Sequence, residues 1–384
     1  MNDPRLEPYT TRSLRELQSR LDACNDPSER MILLAKKAAN LARLTRTAQA
    51  SQIVKDLRSL NQNYEPRLSA WIMYCDGLIL LFESLQDLQA FDRFRRAYLF
   101  SCAVMDRELS GSCAAWIAKC EFTAGRFASV FEHLIASFRW AEPSHGDARA
   151  RASMVLADTL NLSGQIELAR SWYKRGRNYA ILEGDISMQN VMMFNLAAFS
   201  VTHLVLRDCC GEVSEDECWR ASMEVNSATN LDQTLGSRKL QSMAPLLRAD
   251  LLTIQGRWQE ALLLYLQFID ESLAEGQARH QPQYLAHCAW CCTGLSEFEK
   301  ARSFVSDSIS KLSQCTDFDD LAITHFRISK SAKAFGDAQL SSHHETLAIK
   351  HLELFREQQR ELRDGLKQTL DTIERIELER KNPA

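Results

Sequence analysis

Residues 156–173 read LADTLNLSGQIELARSWY, and their spacing decides the fold. Ala157 precedes Ala169 by twelve residues, Gly164 sits between them, and Tyr173 follows Ala169 by four. Small residues on two flanking helices let the backbones approach closely, and glycine between them ends the first helix. The aromatic four residues past the second alanine shares its helix face and fills the groove beside it.

The pattern recurs. Ala50, Ala90, Val130, Ala169, Ala221, Ala261 and Ala301 stand at intervals of 40, 40, 39, 52, 40 and 40 residues. Ala38, Ala118, Ala157, Ala249 and Ala289 precede their anchors by twelve; at the second anchor Leu78 takes that place, with Gly77 adjacent. A fixed period in this range marks stacked units, none of which buries its apolar face alone. Each anchor is expected in the second helix of an antiparallel pair. The interval of 52 predicts an acidic insert over about residues 208–217, in which Ser214 and Glu217 have the spacing of a helix N-cap and its box.

These residues resemble the tetratricopeptide repeat (TPR). The match runs through Leu156, Ala157, Leu160, Gly164, Ala169 and Tyr173 in one unit, and Ala249, Leu252, Gly256, Trp258, Ala261 and Tyr265 in another. It covers about residues 28–340, with a unit near 40 residues in place of the family's usual 34. It implies an all-α, right-handed superhelical solenoid of about eight TPR-like helix pairs that holds protein or peptide partners. In such a solenoid the first helices line a concave groove. Counting back from the anchors places Lys119, Phe122, Arg151, Asp158, Asn161, Asp250, Gln283 and Trp290 there, with Asn195 and His203 flanking the stripe. The equivalent positions of the first two repeats are greasier: Ile32, Ala35, Ile72, Cys75, Ile79 and Phe82. Asp158 and Asp250 stand where a Lys/Asn clamp for terminal carboxylates would need other residues.

The ends read differently. Residues 1–27 are expected to cap the first repeat through a helix from Thr11 to Cys24. Residues 341–384 carry a heptad register: Leu352, Gln359, Leu366 and Ile373 in one seam position, Phe355, Leu362, Thr369 and Ile376 in the other. Leu352, Phe355, Leu362, Leu366, Ile373 and Ile376 are therefore the candidate coiled-coil and homodimer residues. The second half of this stripe requires cover, from a partner helix or by folding back on the solenoid; both alternatives stand. The segment His351–Gln359 resembles the connector that joins TPR sensors to diguanylate cyclase domains in bacterial signalling proteins. No Gly-Gly-Asp/Glu-Glu-Phe motif follows, so the resemblance implies a sensor or adaptor without that catalytic output.

Composition narrows the function classes. With 46 Lys+Arg against 50 Asp+Glu the chain is mildly acidic, which argues against nucleic acid as its ligand. The polar start, Met1 to Arg5, is unlike a signal peptide, and Trp71–Phe82 is too short to span a bilayer, so a cytoplasmic protein without membrane contact is expected. Twelve cysteines in that setting read as free thiols. Cys288, Cys291 and Cys292 beside His287 lack a second pair at zinc spacing and read as packing residues; His343 and His344 read as polar residues at a helix start. No phosphate loop, dinucleotide turn or nucleophile elbow occurs. The expectation is a non-catalytic scaffold or regulator with no metal or cofactor, binding a peptide or protein segment. A peptide-pheromone-type receptor is the alternative; an enzyme with an unrecognised site ranks below both.

Overall fold

The computed structural model describes residues 11–83, 87–211, 213–235 and 242–381. Met1–Arg5, Glu212 and the last three residues lie outside the described residues. The described chain is all-α: seventeen α-helices packed as sequential antiparallel pairs, ending in one of 44 residues. After α1 (Arg12–Ala23), the pairs are α2/α3 (Pro27–Arg43, Thr47–Leu60), α4/α5 (Pro66–Glu83, Asp87–Ala103), α6/α7 (Arg107–Thr123, Phe127–Trp140) and α8/α9 (Gly146–Leu162, Ile166–Glu183). They continue as α10/α11 (Ile186–Cys210, Glu215–Leu235), α12/α13 (Met243–Ile254, Trp258–Ala274), α14/α15 (Gln281–Gly294, Phe298–Lys311) and α16/α17 (Phe318–Ala334, Ala338–Lys381).

Every anchor lies in a second helix and is at most 2% exposed. Close backbone approach explains this, since any larger side chain would push the paired helices apart. Gly77 makes the same point in the pair that lacks the leading alanine: an added methyl would lie 2.6 Å from the Phe94 ring.

A second periodic feature emerges from the backbone. Five residues before five of the seven anchors stands a residue with positive φ: Thr45 (61°), Gly125 (69°), Gly164 (80°), Gly256 (70°) and Ser296 (62°). Gly336 (86°) holds the same place before Ser341. In each case the next N–H bonds the carbonyl five residues back, at 2.8–2.9 Å: Arg46 to Leu41, Arg126 to Glu121, Gln165 to Leu160, Arg257 to Leu252, Glu297 to Cys292 and Asp337 to Ala332. This left-handed cap satisfies the last carbonyls of the first helix and turns the chain into the second. It also marks α16/α17 as an eighth pair whose anchor is Ser341, where the alanine pattern fades.

The long interval resolves differently from the expected loop. No Gly or Pro interrupts residues 186–210, so α10 simply continues for 25 residues. Gly211 (φ 88°) ends it, and α11 begins four residues later. The extra length is thus in the helix. The expected cap is present: Ser214 N donates to Glu217 Oε2 at 3.0 Å, and Glu217 N to Ser214 Oγ at 3.4 Å. Among the described residues α10 is also the helix long and apolar enough to cross a membrane, with a mean hydropathy of 1.2, while Met192, Phe194, Ala197, Val201 and Val205 on it are buried in the protein.

The chain divides into two compact units. The first comprises residues 1–192 and 362–384; the second, residues 193–361. The first unit therefore contains the C-terminal half of α17. There Leu362, Leu366, Ile373 and Ile376 are 0–8% exposed, so the fold-back alternative describes this part of the seam. Gly365 passes so close to Phe131 of α7 that a methyl group would overlap the ring. Arg380 donates to the carbonyls of Ala141 (2.6 Å) and Arg139 (2.5 Å) at the end of α7, where cations are favoured. Glu377 pairs with Arg149 of α8 at 2.8 Å and with Arg175 of α9. Leu352 and Phe355 belong to the second unit; Phe355 is buried and Leu352 half-buried.

Candidate functional site

The predicted groove residues fall on first helices, and each unit assembles its own set. In the first unit, Lys119 on α6 faces α8, while Phe122 on the same helix meets Phe127 of α7 edge-on. The Lys119 ammonium lies 5.2 Å from the Phe122 ring centre and 3.7 Å from Asp158. Asp158 is only 1% exposed because the Tyr173 hydroxyl, from the second helix of the same pair, donates to it. Asn161 borders that hydroxyl.

Arg151 is the unusual member. It is 8% exposed and lies over the Trp116 indole, its guanidinium carbon 3.6 Å from the ring centre. Among the described residues its guanidinium makes no hydrogen bond or ion pair, and its buried Nε has no acceptor. Burial draws its pKa down, while Asp147, one turn earlier, pulls it up. Asp147 gives one carboxylate oxygen to Arg43 and leaves the other, Oδ1, buried and unpartnered.

The second unit repeats the tyrosine–aspartate pair. Tyr265 donates to Asp250 at 2.5 Å, and Asp250 is 7% exposed. Burial pushes this carboxyl up to about 7. Asp158 and Asp250, expected to line a groove, are both buried and each accepts from the tyrosine fifteen residues later. His287 stacks on Tyr265 (5.7 Å) and stays neutral, because burial and then Arg327 oppose its charge. Gln283 is buried, Asn195 is half-buried and His203 is exposed.

Trp290 is half-buried and meets Trp258 edge-on at 5.6 Å. Two cations from α16 approach its ring, Arg327 at 5.5 Å and Lys330 at 5.8 Å. Neither was among the predicted residues, although Lys330 stands eleven before Ser341, as Trp290 does before Ala301.

A histidine cluster in the second unit also went unpredicted. His325 Nδ1 lies 2.8 Å from His344 Nδ1, and His351 stacks on His325 at 5.4 Å. His344, read as a polar residue at a helix start, is instead 3% exposed. Burial, followed by the neighbouring imidazoles, holds His325 at about 3; burial and then His343 hold His344 at about 4. Both folded-state values lie below the unfolded one near 6.5, so the folded unit resists protonation. The stability they contribute is present above pH 6.5 and declines as pH falls below it. Asp250, with its raised pKa, acts with the opposite sign between about 4 and 7. The histidine part is isolated by difference: amide-exchange protection of α16 and of residues 338–351 should fall from pH 7 to 5 in the native chain and fall less in His325→Phe.

No group of three or more His, Cys, Asp or Glu able to hold a metal ion is found among the described residues. Cys288, Cys291 and Cys292 are buried, and burial pushes the Cys291 thiol up to about 12. No protein-family model matches the chain, and no curated protein matches it. The residues themselves establish an all-helical protein of paired antiparallel helices, consistent with a helical repeat.

Proposed function

We propose that the chain is a non-catalytic, TPR-type repeat protein of the cytoplasm whose first helices bind an extended peptide or protein segment. The recurring left-handed cap five residues before the anchors supports the TPR assignment. The binding reading is carried by Arg151 and its surroundings in the first unit. A buried donor or acceptor without a partner costs about 1–3 kcal/mol, so such groups persist where something else completes them. Here both kinds occur one helical turn apart, the Arg151 donor and the Asp147 acceptor. A peptide backbone offers both complements, carbonyl and N–H, and Trp116 supplies a flat apolar contact beside Arg151.

Peptide display on the intact protein, followed by anisotropy measurements on the selected peptides, tests this. Arg151→Met keeps the stem and its contact with Trp116 but removes the donors. Binding should weaken roughly tenfold or more, in line with loss of one charge-assisted bond. A control change at exposed Leu266 on α13 should have no effect. Selected peptides that bind Arg151→Met as tightly as the native protein would overturn the reading.

A further inference from the structure

The polar groups around Trp290 in the second unit are unbalanced in one direction. Arg327 is fully buried; its Nη2 donates to Asp208 at 2.7 Å, while Nε and Nη1 find no acceptor. The Trp290 indole N–H is likewise buried without a partner. Lys330 reaches only the Asp208 backbone carbonyl, at 3.3 Å. Three buried N–H groups and a neighbouring ammonium thus await acceptors. Both cations bond Asp208, Arg327 at its carboxylate and Lys330 at its carbonyl, while Asp250, which accepts from Tyr265, acts on Arg327 only through space. The first unit differs, because there the unmet groups include an acceptor.

We propose that Arg327, Lys330 and Trp290 form a subsite for a carboxylate group, carried by a small organic acid or by an acidic side chain of a polypeptide. Asp208 shows that a carboxylate docks on this guanidinium, and at 26% side-chain exposure it marks the solvent edge of the site. An incoming carboxylate takes the unpartnered N–H groups beside it, where a charge-assisted bond is about twice as strong as a neutral one. The same buried donors are costly while unmet, so the site gains affinity from relieving them. Asp208 opposes the second anion by charge repulsion and sets a limit on affinity.

The proposal does not require a peptide in the first unit; failure of the display selection leaves it intact, and its own failure leaves the Arg151 reading intact. The test titrates the intact protein with sodium glutarate, with acetyl-Ala-Glu-Ala-amide and with inorganic phosphate at matched ionic strength. The readout is the Trp290 indole N–H resonance, assigned by its loss in Trp290→Phe. Glutarate or the peptide should move it saturably, with a dissociation constant of roughly 1 mM or tighter. The tighter of the two identifies the source of the carboxylate as a free acid or a polypeptide. Lys330→Gln should weaken binding about tenfold, and Asp208→Asn should tighten it several-fold, which a purely structural Asp208 would not do. Three results would overturn the proposal: no saturable shift with either carboxylate, equal binding of phosphate, or weaker binding in Asp208→Asn.

Discussion

Replacing Arg149 with alanine should destabilise the first unit by about 3 kcal/mol, the size seen when one member of a buried, hydrogen-bonded ion pair is removed. Arg149 is 1% exposed. Its Nε and Nη2 both donate to the Ala141 carbonyl, at 3.0 and 2.6 Å, and its Nη1 to Glu377 at 2.8 Å. Its guanidinium also lies 5.0 Å from the Phe138 ring centre. Alanine removes the packing of the stem and these bonds together. Arg380 still reaches Ala141 and Arg175 still reaches Glu377, which keeps the effect near 3 kcal/mol. Urea denaturation followed by exchange protection within residues 362–381 measures it. Glu377→Gln should cost less, because it removes a charge and leaves a hydrogen-bonding group of the same shape. The double variant should cost less than the sum, as expected of groups in one network. Native-like protection of α17 in Arg149→Ala would show that the pair contributes little to holding this helix.

Leu366→Ala should cost about 2–5 kcal/mol, toward the upper end because the leucine is fully buried. The form of the loss matters as much as its size. The leucine packs inside its own chain, so the denaturation midpoint of both proteins should be independent of protein concentration. A two-chain coiled coil through this seam would instead give a midpoint that rises with concentration. Thermal or urea unfolding over a hundredfold concentration range separates the two. A concentration-dependent midpoint, or a loss well under 1 kcal/mol, would contradict the packing described for Leu366.

The fold was legible wherever a local steric demand repeats. Helix crossings demand small residues, and the alanine period follows directly from that demand. The left-handed caps were only partly legible: Gly125, Gly164 and Gly256 announce them, but Thr45 and Ser296 adopt the same backbone without glycine. Each bears roughly 1–2 kcal/mol of local strain that only the surrounding pair can maintain. The long α10 was misread because Cys209, Cys210 and the acidic run suggest a loop, whereas a helix continues until something breaks it, here Gly211. At the sites, counting from the anchors found the correct helix positions for Asp158 and Asp250 but not their engagement. The recurring fifteen-residue spacing from aspartate to tyrosine was the available signal. Arg327 and Lys330 were missed because the eighth anchor is Ser341 rather than alanine, although the 40-residue spacing holds. The contact of Glu377 with Arg149 spans 228 residues, and no local period reports such a distance.

That last contact has a consequence for how the protein is made. The first unit draws on residues 1–192 and on residues 362–384, so everything between them must leave the ribosome before its final helix is available. At about 5–20 residues per second the wait is roughly 10–40 seconds, long compared with the formation of any single helix pair. During it the surfaces of α7 and α8 that later receive Gly365 and Glu377 remain uncovered. The second unit is synthesised within that interval, and all its residues are in place before the first can close. For the earliest half of the chain, the release of the last helix is the step that ends exposure to chaperones and proteases.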